Sequence, residues 1–209
     1  MKLAIIVPTV CRPSLIGTLL SLSEQSDNEF DTILVRDRDI DLEPILHNWF
    51  PNLIRLEGPK TGKWGGSARN VGIEYAVANN YDWIGFVDDD DFLHRHYVTW
   101  LKQTVKTNRN VGPDVLVFRC RGNFDHVPPT YVIPEEWRQT LEVGSVGNTF
   151  AVRIKPGLPR YQECSLEDLN FLRACKDAGF YVYFSNFLAY GVRLHLTEDV
   201  HSFPLVLVR

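Results

Sequence analysis

The stretch Trp83–Val98, WIGFVDDDDFLHRHYV, runs from an apolar segment into four consecutive aspartates and then into a helix-like pattern. The apolar segment WIGFV is typical of a buried strand. Two carboxylates about 4 Å apart repel by roughly 4 kcal/mol at an effective dielectric constant near 20. An extended backbone would turn Asp88 and Asp90 to one side and their neighbours to the other, which reduces this repulsion without removing it. The stretch therefore predicts a strand that ends at a site where the charge is neutralised.

Strand-like and helix-like patterns alternate along the chain around this stretch. Predicted strands cover 3–7, 32–36, 53–57, 83–87 and 114–120, and predicted helices cover 14–24, 42–49, 66–79 and 93–107. After a segment rich in Pro and Gly at 121–165, the pattern predicts a helix over 166–178 and two strands, in YVYFS and in LAYGVRLHL. Continuous apolar strands that alternate with helices predict an α/β fold with a mostly parallel sheet covered on both faces.

The composition excludes several classes of protein. The 209 residues carry a formal net charge of −4, and without a basic surplus a general nucleic-acid binder is disfavoured. No apolar run reaches about 18 residues, so no transmembrane helix is predicted. The N-terminus is typical of a first strand and not of a signal peptide, and none of the four cysteines lies in a C-x-x-C pair. We therefore expect a cytoplasmic location.

The four aspartates have two interpretations. Ligands of open parallel sheets bind beyond the carboxyl ends of the strands, where these residues are predicted to lie. Carboxylates there suit a hard divalent cation, which takes one or two of them together with phosphate oxygens. Alternatively, one or two of them cap the helix predicted to begin near Phe92, where acids are favourable by about 0.3–1 kcal/mol each. Four acids are more than capping requires, which favours a metal–phosphate site.

Five segments of the chain resemble family 2 glycosyltransferases with the GT-A fold. Four of them, VPTVCRP, LVRDRD, GGSARNVGIEYA and FVDDDDFL, occur in the family's order, and SLEDLNFLRACKDAG resembles its Glu-Asp motif at the start of a helix. The resemblance covers about residues 3–195 and implies a Rossmann-like GT-A fold, with a central, mostly parallel mixed sheet flanked by helices. It also implies one domain, 1–209, with a nucleotide-binding half, 1–91, and an acceptor-binding and catalytic half, 92–209.

The same resemblance implies an activity. The expected protein is a metal-dependent, hexosyltransferase-type glycosyltransferase with Mn²⁺ or Mg²⁺ as cofactor. It would move a sugar from a nucleotide-diphosphate donor, a UDP-sugar being the expected one, to an acceptor hydroxyl with inversion. The acceptor stays open between a saccharide, a lipid-linked sugar and a protein. A peripheral position at a membrane surface and homo-oligomerisation stay open as well.

Two other functions compete with transfer. A sugar nucleotidyltransferase is disfavoured, because VPTVCRPS stands where that class carries a G-x-G-T-R-like loop. A non-catalytic module that binds a nucleotide or a sugar would lack the base or the metal acid. The residues matching both, Asp168 and Asp90, are present, which disfavours such a module without excluding it.

The resemblance places the nucleotide base after the first two predicted strands. Pro8, Thr9 and Arg12 follow strand one, and Asp37 follows strand two, where its carboxylate can accept the imide N–H of a uracil. Asp39 is an alternative to Asp37. The two arginines that flank Asp37 depart from the family pattern. A solvated surface turn is the structural alternative for this segment.

The segment GPKTGKWGGSARN, 58–70, combines glycines with cations before a predicted helix. A helix N-terminus with nearby cations is an anion site, so we assign Lys63 and Arg69 to the nucleotide. Ser67 is a candidate helix cap. The alternative is a flexible loop followed by a surface helix.

Asp88 and Asp90 match the family's Asp-x-Asp motif. The resemblance implies that Asp90 binds the metal directly and that Asp88 holds the ribose, and we assign the adjacent Asp89 to the nucleotide as well. His195, in the late strand GVRLHL, is a candidate to complete the metal shell, with His201 as its competitor. A structural histidine is the alternative for either position.

Glu167 and Asp168 open the last predicted helix. The resemblance implies that Asp168 is the general base of an inverting enzyme, and Glu167 is assigned to the catalytic pair with it. The alternative is a capping box, because Ser165 and Asp168 have the [ST]-x-x-[DE] spacing. Weaker candidates for an acceptor pocket are Trp137, the turn at 144–150, and His94 and His96, which otherwise lie on the surface of a helix.

Overall fold

The computed structural model describes residues 1–38, 50, 53–61, 64–107, 112–122, 132–134 and 139–192. Within these ranges the strands are β1 (Leu3–Thr9), β2 (Asp31–Arg36), β3 (Ile54–Glu57), β4 (Trp83–Phe86), β5 (Asp91–Leu93), β6 (Val115–Gly122), β7 (Val132–Ile133), β8 (Phe150–Arg153) and β9 (Val182–Val192). The helices there are α1 (Leu15–Ser23), α2 (Gly66–Ala78), α3 (Tyr97–Thr107) and α4 (Glu167–Asp177). None of these described helices is long and apolar enough to span a membrane.

The described strands form one mixed sheet in the order β3-β2-β1-β4-β8-β6-β9-β5, with β7 paired to β6. The strands β3, β2, β1 and β4 run parallel to one another, while β8 is antiparallel to both of its neighbours. The chain passes from β1 to β2 and β3 on one side, then returns to the other side of β1 at β4. Such a reversal creates a crevice at the carboxyl ends of the strands, where ligands of α/β proteins bind. The predicted α/β fold with a mixed sheet is confirmed.

The alternation of β1 explains why its apolar run is continuous. Leu3, Ile5 and Val7 pack into a core cluster with α1 and α3 on one face of the sheet. Ala4 and Ile6 pack on the opposite face with α2 and α4. Both faces are therefore covered by helices, as a run without polar positions predicts. Cys175 of α4 is fully buried in the second cluster, as its position on the apolar stripe predicts.

The predicted helix over 93–107 begins later than expected. Residues Asp91–Leu93 form the short strand β5, antiparallel to β9, and the helix begins at Tyr97. The ring of Phe92 lies against Gly191 of β9, where even a Cβ atom would approach it to 2.2 Å. Pairing with a distant strand thus overrides the local helix pattern. The alternative that the aspartates cap this helix is wrong, because the last of them, Asp91, is the first residue of β5, and the helix begins only at Tyr97.

The two strands predicted near the C-terminus are one continuous strand, β9. It pairs with β6 in parallel, and the register shifts between Val117 and Arg119 and again between Arg119 and Cys120. The first shift falls between Phe184 and Leu188 of β9, so the residues that separate the two predicted strands lie within an irregular part of one strand. The predicted strands at 3–7, 32–36, 53–57, 83–87 and 114–120 are each confirmed to within three residues. The predicted helix over 42–49 lies outside the described residues.

Candidate active site

A pocket of about 360 Å³ opens beyond the carboxyl ends of β1, β2 and β4 and beside the first turns of α2 and α4. Its lining includes every predicted site residue within the described ranges: Pro8, Thr9, Arg12, Asp37, Arg69, Asp88, Asp89, Asp90, Glu167 and Asp168. The remaining two predicted residues, Lys63 and His195, lie outside those ranges, as do Asp39, Trp137 and His201. One crevice thus brings together side chains that are up to 160 positions apart in the sequence.

The four aspartates occupy different environments because the backbone turns between them. The amide N–H of Asp91 donates to the carbonyl of Asp88 at 3.1 Å, so the backbone is not extended here. Asp91 is buried on β5, and Asp89 is buried against the turn after β1. Asp88 and Asp90 keep side chains that are 32% and 25% exposed and line the pocket. The turn therefore separates charges that an extended chain would leave close together.

The carboxylate of Asp89 ties the acid cluster to β1. It accepts hydrogen bonds from Thr9 Oγ1 at 2.7 Å and from the Val10 amide at 3.1 Å. Arg12 Nη1 donates to its other oxygen at 2.9 Å and also lies 3.0 Å from Asp90 Oδ2. These contacts hold the turn after β1 against the end of β4, which fixes two sides of the pocket.

Asp37 occupies the expected end of β2. Its carboxylate accepts hydrogen bonds from the Thr61 amide and the Thr61 hydroxyl, each at 3.2 Å, and its own amide donates to Thr9 at 2.8 Å. The side chain is therefore oriented by the loop before α2 and is buried to 2% exposure. Pro8 and Thr9 stand beside it at the end of β1.

Arg69 lies at the centre of the site and not on the surface of a helix. It is 1% exposed, and its guanidinium donates to Asp88 Oδ1 and to Glu167 Oε1. A further hydrogen bond reaches the Trp64 carbonyl at 3.2 Å, and the Tyr161 ring lies 5.2 Å away. Burial disfavours its charge, but the surrounding carboxylates outweigh burial and keep the pKa of Arg69 well above the ordinary value. Arg69 thus links the acid cluster to the start of α4.

The start of α4 has no capping box. Its N-cap is Leu166, without a side-chain hydrogen bond, so the interpretation of Ser165 and Asp168 as a box is wrong. Glu167 instead bonds to Arg69. Among the described residues, the buried oxygens Glu167 Oε2 and Asp168 Oδ1 have no hydrogen-bond partner. Both residues line the pocket, so two unpaired buried oxygens lie at its wall.

The two carboxyl groups of α4 differ from ordinary acids in their titration. Burial raises the pKa of Glu167 to about 8, and Arg69 opposes this rise. Burial likewise raises the pKa of Asp168 to about 6, with Arg69 lowering it and Asp88 raising it. A carboxylate with a pKa near 6 is ionised at neutral pH and basic enough to accept a proton in a reaction. Asp168 therefore has the properties of a general base.

The residues present fit a divalent cation in part. Asp88 and Asp90 offer carboxylates to the pocket, and Asp88 Oδ2 accepts no hydrogen bond from the described residues. Within those residues, no three His, Cys, Asp or Glu side chains are grouped as a ready set of metal ligands. One or two carboxylates suffice for Mg²⁺ or Mn²⁺ when substrate phosphates complete the shell. The donor set thus suits a cation that enters with a phosphorylated ligand.

Asn148 and Tyr161 belong to the site but were not among the predicted site residues. Asn148 Nδ2 donates to Asp88 Oδ1 at 3.1 Å, and the Tyr161 hydroxyl donates to Asn148 Oδ1 at 3.2 Å. Asn148 comes from the turn at 144–150, which was a candidate for the acceptor pocket, and it contacts the acid cluster instead. Trp64, 63% exposed at the pocket, was also missed. The available signal for it in the sequence was an aromatic residue within a glycine-rich loop.

Two weaker interpretations are wrong. Ser67 does not cap α2, because the N-cap is Gly65 with φ 93°. The Ser67 amide instead donates a hydrogen bond to Glu163 Oε1 at 2.6 Å. His94 lies on no helix surface: it is 8% exposed before α3 and stacks on Trp100 with ring centres 4.6 Å apart.

Comparisons with known proteins identify the family and the fold. The model of a family described as "Glycosyl transferase family 2" matches residues 4–157. An "Uncharacterized glycosyltransferase" of Haemophilus influenzae is 32% identical over 113 residues, which are 53% of this chain and 36% of that protein. The chain therefore spans about a third of the length of this curated relative.

Solved structures of S. aureus TarS have the same fold. TarS 1–349 in complex with UDP-GlcNAc superposes with a TM-score of 0.73 at 21% identity, over 97% of this chain and 61% of that one. TarS 1–349 in complex with UDP gives a TM-score of 0.71 at 22% identity, over 92% of this chain and 60% of that one. At these identities the likeness concerns the fold, and it confirms the predicted GT-A architecture.

Proposed function

This chain belongs to glycosyl transferase family 2, and from that premise we propose that it transfers a sugar from a nucleotide-diphosphate donor to an acceptor hydroxyl. The observation that carries the proposal is the single pocket in which an acid cluster, a strand-end aspartate and the unpaired buried carboxyl of Asp168 meet. Transfer needs a group that binds the donor diphosphate and a base that takes the proton of the acceptor hydroxyl, and the two lie on different sides of this pocket. The acid cluster suits the diphosphate end, and Asp168 suits the acceptor end.

The proposed donor is a UDP-sugar. Two related structures of TarS hold UDP or UDP-GlcNAc, and this chain has the same fold. We assign the base to the crevice between the ends of β1 and β2, with Pro8, Thr9 and Asp37 around it. Asp88 is assigned to the ribose, and Lys63 remains assigned to the nucleotide. Arg69 is buried between carboxylates, so we now propose that it positions Asp88 instead of touching the donor.

The proposed cation is Mn²⁺ or Mg²⁺, held by Asp90 with Asp88 beside it. It would neutralise the charge that develops on the leaving diphosphate. His195 stays a proposed further ligand. The residues themselves orient the site: Asn148 and Arg69 fix Asp88 from two directions. Asp89 is bound by the β1 turn through both oxygens, which supports a structural part in shaping the nucleotide side.

Asp168 is the proposed base. Its ionised carboxylate would take the proton from the acceptor hydroxyl as that oxygen attacks the anomeric carbon, with inversion. The unpaired Oδ1 supports this role, because an oxygen bound to the backbone of the helix would be a poorer base. Glu167 keeps its contact with Arg69 and holds the start of α4 in place.

The experiment that tests the proposal has two parts. Thermal unfolding is measured with UDP, GDP or ADP in Mn²⁺ and again with a chelator. A ligand at 100 times its dissociation constant adds about 2.7 kcal/mol, or roughly 5–10 °C for a domain of this size. A shift with UDP that the chelator removes is the expected result. If no nucleoside diphosphate shifts the midpoint, the donor assignment fails.

The second part separates binding from catalysis. Asp168→Asn should keep the UDP shift and lose sugar transfer by at least about a hundredfold, the usual share of a general base. Asp177→Asn, an exposed residue at the other end of α4, is the matched control and should keep both. Normal turnover by the Asp168 variant would remove the base assignment and leave the donor assignment standing.

A further inference from the structure

The guanidinium of Arg12 bridges two carboxylates of the acid cluster. Its Nη1 atom lies 2.9 Å from Asp89 Oδ1 and 3.0 Å from Asp90 Oδ2, so one nitrogen bridges two carboxylates. The Arg12 side chain is 52% exposed, whereas that of Asp89 is 4% exposed. The guanidinium therefore approaches from the solvent side of the pocket. It contacts Asp90, which the resemblance assigns to the metal, and Asp89, which is assigned to the nucleotide.

The two arginines of the site differ in how easily they can leave. Arg69 is enclosed, and its departure would strand the buried Glu167 carboxylate. Arg12 is half in solvent, and without it Asp89 still accepts hydrogen bonds from Thr9 and Val10. The Arg12 contact with Asp90 is partly exposed on both sides, and the buried Asp89 keeps two other donors, so moving Arg12 costs less than moving Arg69. Arg12 can leave the cluster while the pocket wall stays intact.

A divalent cation and the Arg12 guanidinium compete for the same carboxylate. Both would lie within contact distance of Asp90 Oδ2, and two positive charges that close repel each other. A diphosphate that enters with the cation offers the displaced guanidinium a new partner, because the planar fork of Arg matches phosphate oxygens. The exchange replaces one anionic partner of Arg12 by another.

We propose that Arg12 is a displaceable counter-ion, which neutralises Asp89 and Asp90 in the donor-free protein and passes to the donor diphosphate when the divalent cation binds. The inference rests on the proposed function and goes beyond it, since it states what holds the acid cluster before the donor arrives. It also explains how the cluster is tolerated in the free protein. Cation binding and donor binding become coupled through one side chain.

The test compares Arg12→Ala with Arg153→Ala. Arg153 is a matched control, because it is 55% exposed and lies 4.0 Å from Asp114 at the opposite end of β4 from the pocket. Mn²⁺ binding without nucleotide is measured by electron paramagnetic resonance of the free ion. UDP binding at saturating Mn²⁺ is measured by calorimetry. Circular dichroism checks that each variant is folded.

The two affinities should change in opposite directions in Arg12→Ala. Mn²⁺ alone should bind about two- to fivefold more tightly, the range for losing one exposed ion pair as a competitor. UDP with Mn²⁺ should bind about tenfold more weakly or worse, because a charged hydrogen bond to phosphate is lost. Arg12→Lys keeps the charge, so its Mn²⁺ affinity should stay near that of the wild type. Arg153→Ala should change neither affinity.

Other outcomes overturn the inference in distinguishable ways. Weaker or unchanged Mn²⁺ binding by Arg12→Ala, with wild-type UDP binding intact, would mean that Arg12 only braces the acids; the proposed function would stand. UDP affinity unchanged in Arg12→Ala would mean that the guanidinium never reaches the diphosphate. If the wild type and both Arg12 variants bind neither Mn²⁺ nor UDP, the proposed function fails together with the inference.

Discussion

Replacing Arg69 by Met should destabilise the protein strongly, and more at high pH than at low pH. The variant keeps an unbranched, uncharged stem in place of the guanidinium and removes both of its carboxylate contacts. Solvent can rehydrate Asp88, whose side chain is 32% exposed, but it cannot reach Glu167, which is 7% exposed. Removing one partner of such a buried pair costs about 3–5 kcal/mol. That is a large part of the roughly 5–15 kcal/mol that stabilises a typical domain.

The pH dependence follows from Glu167. Its pKa in the folded protein is raised to about 8 from an ordinary value of 4.5, so the folded state holds this proton more tightly than the unfolded state. The contribution of Glu167 to stability is therefore greatest at low pH and declines as the pH rises from 4.5 through 8. Since Arg69 lowers this pKa, its removal raises the pKa further and makes ionisation at high pH costlier.

The assay is thermal unfolding at pH 6 and at pH 9, with urea titrations for the free energies. The full cost should be seen at pH 9, as a loss of roughly 6–20 °C in the midpoint. At pH 6 the neutral Glu167 side chain should leave a smaller loss. Arg69→Met with Glu167→Gln should recover part of the stability at pH 9, because no charge is then stranded. Arg153→Met, which breaks only an exposed contact, should cost under about 1 kcal/mol at either pH.

Two results would refute this reasoning. A cost of less than about 1 kcal/mol at pH 9 would mean that the Glu167 carboxylate is not trapped by its surroundings. An equal cost at both pH values would mean that the loss comes from packing around Arg69, for instance against Tyr161, and not from the charge of Glu167.

Two further predictions concern the base and the packing of α2. Because burial raises the pKa of Asp168 to about 6 and a base must be ionised, the rate of sugar transfer should fall as the pH drops through about 6, while UDP binding measured by calorimetry does not follow this curve. A transfer rate that is flat down to pH 5 would contradict the assignment. Gly72→Ala should lower stability by about 1–3 kcal/mol in urea titrations, because its Cβ would lie 2.6 Å from Ile6 Cγ2 in the core. Gly147→Ala, which meets only Thr149 at 3.9 Å, is the control, and an equal effect there would exclude overpacking as the cause.

The sequence predicts the convergence of the site well for a topological reason. The parallel strands β1, β2 and β4 end at Thr9, Arg36 and Phe86, and these ends meet at one edge of the sheet. Most of the predicted site residues that line the pocket lie at these strand ends or shortly after them. Side chains that follow different strands are therefore brought together without any knowledge of their contacts. The Glu167–Asp168 pair was assigned by motif, and its place at the same pocket follows from the position of α4 against the sheet.

The predictions failed where a distant partner overrides a local pattern. The residues after Asp91 have helical spacing, but an antiparallel partner 100 positions away makes them a strand. Arg69 was assigned to the nucleotide from its place in a cationic loop before a helix. The sequence does not show that its guanidinium binds the carboxyl group of Glu167, 98 positions away. The same holds for Ser165, whose capping spacing is matched but unused. Local spacing shows which secondary structures and caps a segment is able to form. Tertiary contacts determine which of them forms.

The link from Arg69 to Glu167 has a consequence for protein engineering. Arg69 lies before the acid cluster, in the half assigned to the nucleotide, and Glu167 lies in the half assigned to catalysis. A chimaera that joins residues 1–91 of this chain to the later part of a relative would therefore keep Arg69 and take the partner of this buried contact from the relative. Parents for such exchanges should be chosen to carry both residues, and a library that shuffles the halves freely should be depleted of folded members at this crossover.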